Sequence, residues 1–552
     1  MKPFDANGVY CPVFSWDQAP GLAVRGAGAT VFSSGVGLAI QIAGTMILAR
    51  LLTPQDFGLV ALVTTFSLIL MNFGLNGFTE AVLQREEIDH FLISNLFWIN
   101  VGVGLLLTVG FAAAGSLLAW LYRDPLMEPV SIGMSLTILV TSVSVQHLAL
   151  LKRAMRFSAV SVNELIARTA SLAVSVLLAR AGWGYWALVG GAVALPLVQC
   201  GGAWYMCRWV PSLPRRTPGT AAMTRFAMHV YGRFTLNYGS RNVDNLLVGS
   251  LFGPNALGFY KKAYDLFALS AGQLSAPLTN VAVSALSRFN ARSPEYRQHL
   301  VSALAVMAFV GMGLSAMFTL VGHDLIRLLL GKQWEPAGRI FTYFGPGVGM
   351  MMLYYIHGWI HLSIGRADRW LRWSFFEIAV TCLLFLAALP WGAAGIAAAW
   401  TASYWILTIP AFWYAGVPIQ LGVKPVLAAI WRSAASALLA GGACAGVIRA
   451  LQALGAYPSA DQPLARVVLV AVMLGALYLG AVVLLNGGHA PLRQVAGFLR
   501  QAAGDRQSAK PASGEGAISS TEAEPCSVPV ADSNEAKPLV SIPYRRSTPR
   551  NL

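Results

Sequence analysis

The sequence predicts an all-α polytopic membrane protein with about fourteen transmembrane helices. Of its 552 residues, 56% are hydrophobic and only 11% are charged, whereas a soluble domain usually carries about 25% charged residues. The apolar stretches extend over roughly 20 residues or more, which is the length that a helix needs to cross a bilayer. They lack the alternation over about ten residues that the strands of a membrane barrel require.

Fourteen helices are predicted along the chain, and most of the loops between them are short. They cover residues 27–50, 57–79, 91–119, 127–150, 158–180, 184–206, 226–251, 257–286, 299–322, 337–361, 370–389, 391–414, 426–450 and 464–486. No loop can house a soluble catalytic domain, and the sequence has no P-loop, HExxH motif or nucleophile elbow. The six cysteines are scattered without metal-ligand spacing. We therefore expect a protein that is not an enzyme, with no cofactor, no metal and no nucleic-acid partner.

The distribution of positive charge predicts the orientation of the chain. The net charge is +15, and the segment 501–552 contributes none of it because its six Lys/Arg are matched by six Asp/Glu. One set of alternating loops carries 16 Lys/Arg and the other set carries 8. Since cytoplasmic loops are the ones enriched in Lys and Arg, and the number of helices is even, both termini are predicted to be cytoplasmic.

A short sequence recurs in two of the predicted turns. "LLTPQDFG" spans Leu51–Gly58 and "LFGPNALG" spans Leu251–Gly258, with Leu, Pro and Gly at the same relative positions. Three matches in eight could arise by chance, because Leu, Pro and Gly are common in turns. The equivalent helical context favours a duplicated six-helix unit, and parallel repeats with a substrate site between the halves are one known transporter plan.

The repeat divides the chain into predicted segments. Two parallel six-helix lobes around a central cavity are followed by two extra helices. The predicted segments are a cytoplasmic N-terminal segment at 1–25, an N-lobe at 26–207, a cytoplasmic linker at 208–224, a C-lobe at 225–416, helices thirteen and fourteen at 417–487, and a cytoplasmic tail at 488–552. The tail is rich in Pro, Ser, Glu and Ala and poor in aromatic residues, a composition that predicts disorder over most of its length.

Predicted helix seven carries a row of polar side chains. Arg233, Asn237, Arg241, Asp244 and Asn245 follow the i, i+4, i+8, i+11 and i+12 spacing of one helix face. Ionisable side chains within a bilayer cost about 2.5–3.5 kcal/mol on insertion scales, so they face a cavity, a partner or the interface. Asp244 could serve only to hold Arg241, or the row could line a hydrated cavity.

Predicted helices eight and five carry further charges at helical spacing. Lys261 and Asp265 are four residues apart and can pair, and so can Glu164 and Arg168. These could be structural pairs, and Lys261 and Lys262 could extend to lipid headgroups. The alternative is a basic cavity, because cationic side chains favour an anionic substrate group.

Three other ionisable residues are weaker candidates. Glu377, in predicted helix eleven, is either a coupling site for an ion or a structural partner. His357 and His361 are four residues apart, but two histidines without a third ligand indicate packing more often than a metal site.

Two segments resemble the hallmark segments of polysaccharide flippases of the Wzx type, and in particular the branch similar to the colanic-acid exporter. They are "ILARLLTPQDFGLVALVTTF" (Ile47–Phe66) and "SRNVDNLLVGSLFGPNALGFYKKAYDL" (Ser240–Leu266). "LKRAMRF" (Leu151–Phe157) fits as well. The resemblance covers roughly residues 25–420 and places the chain in the multidrug/oligosaccharidyl-lipid/polysaccharide exporter superfamily.

This resemblance implies a function and a location. It implies that the chain moves an undecaprenyl-pyrophosphate-linked oligosaccharide to the outer leaflet of a bacterial inner membrane by alternating access, with a polysaccharide polymerase and export proteins as further partners. Arg241, Asp244 and Asn245 lie where the family signature lies. The predicted substrate-binding residues are Arg233, Arg241, Asp244, Asn245, Lys261, Lys262 and Arg168, and the predicted coupling or charge-balancing residues are Glu164, Asp265 and Glu377.

Four other functions remain open from the sequence. An ion-coupled drug or metabolite antiporter of the same superfamily would have mainly acidic residues in its cavity, and a lipid II flippase is a closer alternative. A membrane glycosyltransferase would need acidic residues in a sizeable outer loop. A scaffold for partner enzymes would tolerate loss of the cavity charges.

Overall fold

The computed structural model of the chain describes residues 3–5, 8–10, 19–85, 87–240, 242–489 and 493. Within its helices the side chains are not described at 19–27, 31, 73–76, 84, 233, 236, 237, 240, 273–278, 280, 281, 284, 285 and 367. Over the described ranges the chain forms α-helices, short 3-10 turns and two isolated β-bridges, and no β-strand. The predicted all-α class is therefore confirmed.

Fifteen α-helices follow one another in the described part of the chain. They are α1 (Ala19–Leu51), α2 (Pro54–Gln84), α3 (His90–Tyr122), α4 (Met127–Arg153), α5 (Phe157–Arg180), α6 (Tyr185–Cys207), α7 (Thr220–Ser240), α8 (Val243–Leu286), α9 (Pro294–Leu330), α10 (Glu335–Phe344), α11 (Gly347–Ser363), α12 (Ala367–Ala388), α13 (Gly392–Gly416), α14 (Val423–Ala453) and α15 (Pro463–Asn486). Each predicted helix overlaps at least one of them.

Two predicted helices are interrupted in the structure. Predicted helix seven, 226–251, ends as α7 at Ser240 and resumes as α8 at Val243, so the predicted polar row does not lie on one continuous helix. Predicted helix ten, 337–361, is divided into α10 and α11 at Gly345 and Pro346. The turn predicted between helices seven and eight is present as a break within α8, where Gly253 has φ 82° and ψ 172°. That positive φ suits glycine, because it has no Cβ to clash with the backbone.

The first copy of the repeated turn starts α2 with a capping box. Thr53 Oγ1 accepts a hydrogen bond from the Asp56 backbone N–H over 3.3 Å. In return, an Asp56 carboxylate oxygen accepts one from the Thr53 N–H over 2.9 Å. Pro54 occupies the first helical position, where no intrahelical donor is needed. The "TPQD" letters therefore specify a helix start directly.

The two copies of the repeated turn meet in space at two glycines. A Cβ atom on Gly58 would lie 1.7 Å from the carbonyl oxygen of Pro254, and a Cβ on Gly258 would lie 1.9 Å from that of Pro54. The contacts are reciprocal, as they are when a two-fold axis relates two equivalent segments. Glycine at both positions lets the backbones of α2 and α8 come this close.

The remaining helices pack around this α2–α8 contact. α2 also packs against α4 and α7, α3 against α4, α5 against α6, and α1 against α5. α9 packs against α10, α11, α14 and α15, which places the last two helices beside α9. The buried Trp334 indole donates to the Ala49 carbonyl over 2.7 Å, so the start of α10 is fastened to the end of α1.

The outer surface of the described helices is apolar, as in a protein surrounded by lipid. Large side chains such as Leu106, Trp120 and Leu438 are 70–75% exposed. Within the described residues, ten segments are long and apolar enough to cross a membrane. The chain is thus a multi-pass membrane protein, in line with the predicted class.

The predicted boundaries between the N-terminal segment, the two lobes, the linker and the final helices stay predictions. All of the described helices belong to one compact unit. The predicted tail lies outside the described residues except for 488, 489 and 493.

Candidate substrate cavity

A cavity of about 410 Å³ lies between α1, α2, α5, α6, α7 and α8. α8 contributes its charged side chains, α5 contributes Arg168, and α1 and α2 contribute mainly small and apolar residues with Gln41, Thr45, Thr64 and Thr65 among them. Of the predicted site residues, the cavity brings together Arg168, Asn245, Lys261, Lys262 and Asp265. These five come from α5 and α8, two helices that are far apart in the sequence.

The two lysines of α8 have different environments within the cavity. Lys261 Nζ lies 2.8 Å from an Asp265 carboxylate oxygen, so the predicted i, i+4 pair forms. Lys262 Nζ lies 4.2 Å from the centroid of the Phe57 ring on α2. A cation over an aromatic face is attracted by the ring quadrupole. Among the described residues Lys262 forms no salt bridge, which leaves its positive charge without a carboxylate in contact.

Helix α5 supplies the second predicted pair. Arg168 donates from a terminal guanidinium nitrogen to Glu164 over 2.6 Å and from Nε to the same oxygen over 3.1 Å. The pair also lines a smaller cavity of about 190 Å³ with Ser33, Ser34 and Gln41. Arg168, Gly37 and Gln41 border both cavities, so the polar surface extends from one to the other.

The described charges of the two cavities do not cancel. Three cations (Arg168, Lys261 and Lys262) face two carboxylates (Glu164 and Asp265). The described part of the lining therefore carries one net positive charge. The side chains of Arg168 and Lys261 are still 38% and 29% exposed, although each is paired with a carboxylate.

Neutral polar groups complete the cavity wall. The Asn245 side chain donates to Asn242 Oδ1 over 3.0 Å. The side-chain Oδ1 of Asn245 is buried and accepts no hydrogen bond from any described residue. Tyr238 of α7 and Gln41 of α1 also line the cavity. Amide and hydroxyl groups of this kind can bind sugar hydroxyls by donating and accepting hydrogen bonds.

Asp244 is not among the described residues that line the cavity. The residue is fully buried, and one carboxylate oxygen accepts hydrogen bonds from the Tyr260 hydroxyl over 2.7 Å and from the Trp400 indole N–H over 2.9 Å. Its other oxygen accepts from the Asn245 backbone N–H over 2.8 Å. The carboxylate thus joins α8 to α13 and stands behind the cavity wall that Asn245 forms.

Three other predicted site residues cannot be placed in the cavity. Arg241 and the side chain of Arg233 lie outside the described residues, so their predicted contacts stay predictions. Glu377 is half-buried on α12, which packs against α11 and α13. It is separate from the described residues that line the two cavities.

The histidine pair has the buried position expected of packing residues. His357 and His361 are both buried in α11, and His357 Nδ1 hydrogen-bonds to the Tyr354 carbonyl. The described residues contain no group of three or more His, Cys, Asp or Glu side chains arranged to hold a metal ion.

Sequence reasoning did not identify several residues of the cavity. Phe57, Tyr238 and Asn242 contact or flank its charged groups. A signal was available for Phe57, which stands beside Gly58 in the repeated turn. The two side chains that donate hydrogen bonds to Asp244, those of Tyr260 and Trp400, had no such signal. Trp400 lies 156 residues from Asp244 in the sequence.

A family model described as "Polysaccharide biosynthesis protein" matches residues 47–339, more than half of the chain. The lipopolysaccharide biosynthesis protein WzxC of Escherichia coli is 23% identical over 56% of this chain and 62% of its own length. The teichuronic acid biosynthesis protein TuaB of Bacillus subtilis is 24% identical over 67% and 76%. The succinoglycan biosynthesis transport protein ExoT of Rhizobium meliloti is 25% identical over 60% and 65%. This chain thus spans less than two thirds of the WzxC and ExoT proteins.

Two solved structures share the fold. The lipid II flippase MurJ in an inward closed conformation has a TM-score of 0.65 at 14% identity and matches 82% of this chain and 98% of its own. An inward-facing multidrug resistance MATE family transporter has a TM-score of 0.54 at 13% identity, over 70% and 95%. At such identities the likeness concerns the fold alone. The prediction of a transporter rather than an enzyme agrees with the description of ExoT as a transport protein.

Proposed function

Because the chain belongs to the family of polysaccharide biosynthesis proteins, we propose that it is a flippase for a polyprenyl-pyrophosphate-linked oligosaccharide. The observation that carries this proposal is the net positive polar cavity inside an all-helical membrane body. Such a cavity can replace the hydration of an anionic, sugar-bearing head group. Without such a cavity, moving the charged group through the hydrocarbon would cost far more free energy, because the ion would lose its hydration with nothing to replace it.

The chemistry of the cavity matches the three parts of such a substrate. The polyprenyl chain stays in the lipid, which the apolar outer surface of the helices contacts. The pyrophosphate binds to Lys262, whose charge has no carboxylate partner among the described residues, and to Lys261 and Arg168 once these exchange their carboxylates for phosphate. Asn245, Tyr238 and Gln41 serve the sugar hydroxyls.

The two carboxylates of the cavity make its binding of an anionic substrate reversible. Asp265 and Glu164 each neutralise one cation while the cavity is empty. The substrate then competes with an internal carboxylate, which weakens its binding and allows its release. A site that held pyrophosphate with three unopposed cations would retain the substrate, whereas transport requires binding that is readily reversed.

The size of the cavity favours alternating access. A volume of about 410 Å³ lies near the lower end of the range of about 300–1,000 Å³ for ligand pockets. A pyrophosphate with several sugars needs more room, so the helices must separate to admit it. The reciprocal contact of Gly58 with Pro254 and of Gly258 with Pro54 is a place where α2 and α8 can part.

The remaining predicted assignments are part of the same proposal. Arg233, Arg241 and Asp244 are further substrate-binding residues in this proposal, and Glu377 serves coupling or charge balance. The protein resides in a bacterial inner membrane with both termini cytoplasmic, and it works beside a polymerase and export proteins.

An ion-coupled antiporter is the main alternative function for this fold. It would bind a cation through acidic side chains. In the described cavities both carboxylates are already paired with a lysine or an arginine, and one positive charge is left over. This charge balance favours an anionic substrate.

The test is a flipping assay in proteoliposomes with a fluorescent polyprenyl-pyrophosphate oligosaccharide. Wild type is compared with Lys262→Gln and with Lys424→Gln, which removes an exposed lysine at the start of α14. We expect protein-dependent exposure of the label on the opposite leaflet, about tenfold slower in Lys262→Gln and unchanged in Lys424→Gln. Absence of flipping by correctly oriented wild type would refute the proposed function. Equal rates in all three proteins would leave transport in place but remove Lys262 from the site.

A further inference from the structure

A second basic pocket lies away from the central cavity. It has a volume of about 1,180 Å³ and opens between α3, the segment 208–219 and α7. Its wall includes Asn95, Trp98, Arg215, Arg216, Arg225 and Met228. This is the face that carries the predicted cytoplasmic linker. The proposed transport function does not use this pocket.

The segment 208–219 is fixed to α3 by a set of hydrogen bonds. Asn95 is buried, and its side chain accepts from the Arg215 N–H over 2.9 Å and donates to the Thr217 hydroxyl over 3.0 Å. The Trp98 indole N–H donates to the Ser212 carbonyl over 2.8 Å, and the Ser212 N–H donates to Ser94 over 3.0 Å. The arginines of this segment therefore extend from a backbone that α3 holds in place.

Three arginines of the pocket present unopposed charge. Arg215, Arg216 and Arg225 are all exposed. Arg215 packs its guanidinium over the Phe91 ring at 4.9 Å from the centroid. Within the described part of the chain, none of the three forms a salt bridge.

Apolar side chains adjoin these charges. Trp98 is 40% exposed and Met228 is 48% exposed, and both line the pocket. Leu213, next to the pocket in sequence, is 76% exposed. A soluble anion would use the arginines and leave this apolar surface in water. An amphiphile covers both, with its charged group on the arginines and its chains on the apolar side.

We propose that this pocket binds the headgroup of an anionic phospholipid from the adjacent leaflet. The phosphate contacts Arg215, Arg216 and Arg225, and the upper acyl chains lie against Trp98 and Met228. Basic pockets beside transmembrane helices are suited to such headgroups. A bound lipid would hold α3, the 208–219 segment and α7 together, whether or not the central cavity is occupied.

The test measures lipid binding to the purified full-length chain in detergent, by native mass spectrometry during titration with cardiolipin. Phosphatidylcholine serves as the zwitterionic comparison. The variant R215Q/R216Q/R225Q removes the three charges. The variant R288Q/R292Q/K424Q removes three exposed charges from the α8–α9 loop and the start of α14, on the same predicted face, and is the control for total charge.

We expect wild type and the control variant to bind cardiolipin at least tenfold more tightly than phosphatidylcholine. Each arginine near a membrane surface contributes about a fivefold effect, so the triple pocket variant should bind cardiolipin more than tenfold more weakly than wild type. Equal affinity of the pocket variant and wild type would overturn the proposal, as would equal weakening in the control variant.

Two competition arms distinguish other occupants. Inorganic pyrophosphate at the same concentration should leave cardiolipin bound, and complete displacement would assign the arginines to a soluble anion instead. A polyprenyl-pyrophosphate lipid that displaces cardiolipin from wild type, and that binds R215Q/R216Q/R225Q at least tenfold more weakly than wild type, would overturn the proposal by making the pocket part of the transport route. Neither result depends on whether the chain flips its substrate.

Discussion

Replacing Gly58 with alanine tests the close approach of α2 and α8. The added Cβ would lie 1.7 Å from the Pro254 carbonyl oxygen, where real Cβ contacts are essentially never below 3.0 Å. The backbones must therefore separate by about 1.3 Å or more, because a carbonyl of the main chain cannot rotate away as a flexible side chain can. Overpacking of this kind costs about 1–3 kcal/mol, and we expect the upper half of that range.

The matched control is Gly272→Ala in α8, where a Cβ would meet no atom of the described residues within 4 Å. Alanine is favoured over glycine within a helix by roughly 0.5–1 kcal/mol, so this variant should be neutral or slightly more stable. The assay is equilibrium unfolding in a denaturing detergent, with the free energy of unfolding of each variant compared with that of wild type. Only Gly58→Ala should lower this free energy.

The partner glycine provides a further check on the reasoning. Gly258→Ala should destabilise by a similar amount, since its Cβ would lie 1.9 Å from the Pro54 carbonyl oxygen. The double variant should cost less than the two single variants together, because helices that have moved apart for one methyl group also accommodate the second. If Gly58→Ala unfolded at or above the wild-type midpoint, the close contact of α2 and α8 would be wrong.

Three further predictions concern Asp244, the capping box and the cavity charges. Tyr260→Phe removes a hydrogen bond to the buried Asp244 carboxylate and should lower the free energy of unfolding by about 1–3 kcal/mol. The exposed Trp183→Phe is the control for that measurement. Thr53→Ala should destabilise by about 1 kcal/mol while Thr53→Ser has little effect, because serine can still accept from the Asp56 N–H. An alanine variant as stable as wild type would contradict the role of the cap. Glu164→Gln frees Arg168 from its carboxylate and should tighten substrate binding while slowing flipping, measured as retention of labelled lipid against rate of exposure. Weaker binding in that variant would contradict the proposed charge balance.

The sequence alone determined the membrane class and most of the helices. Hydrophobic runs of sufficient length define membrane-spanning helices with few alternatives, because backbone groups in lipid must be satisfied within the segment. Local signals also placed the repeated turns, since Thr53, Pro54 and Asp56 form a cap and Gly253 adopts a positive φ. The pairs Lys261–Asp265 and Glu164–Arg168 were also predictable, because helical spacing fixes which residues are neighbours.

Only the tertiary structure decided what these elements contact. Helical spacing cannot reveal that Trp400 of α13 donates to Asp244 of α8, or that Phe57 of α2 lies against Lys262. The polar row from Arg233 to Asn245 was drawn on a continuous helix, but the break between α7 and α8 separates its two ends. The repeated turns were recognised from three shared letters, whereas their reciprocal contact depends on how two helices cross. Contacts between distant segments arise from packing, and packing depends on the whole set of side chains that fill the space.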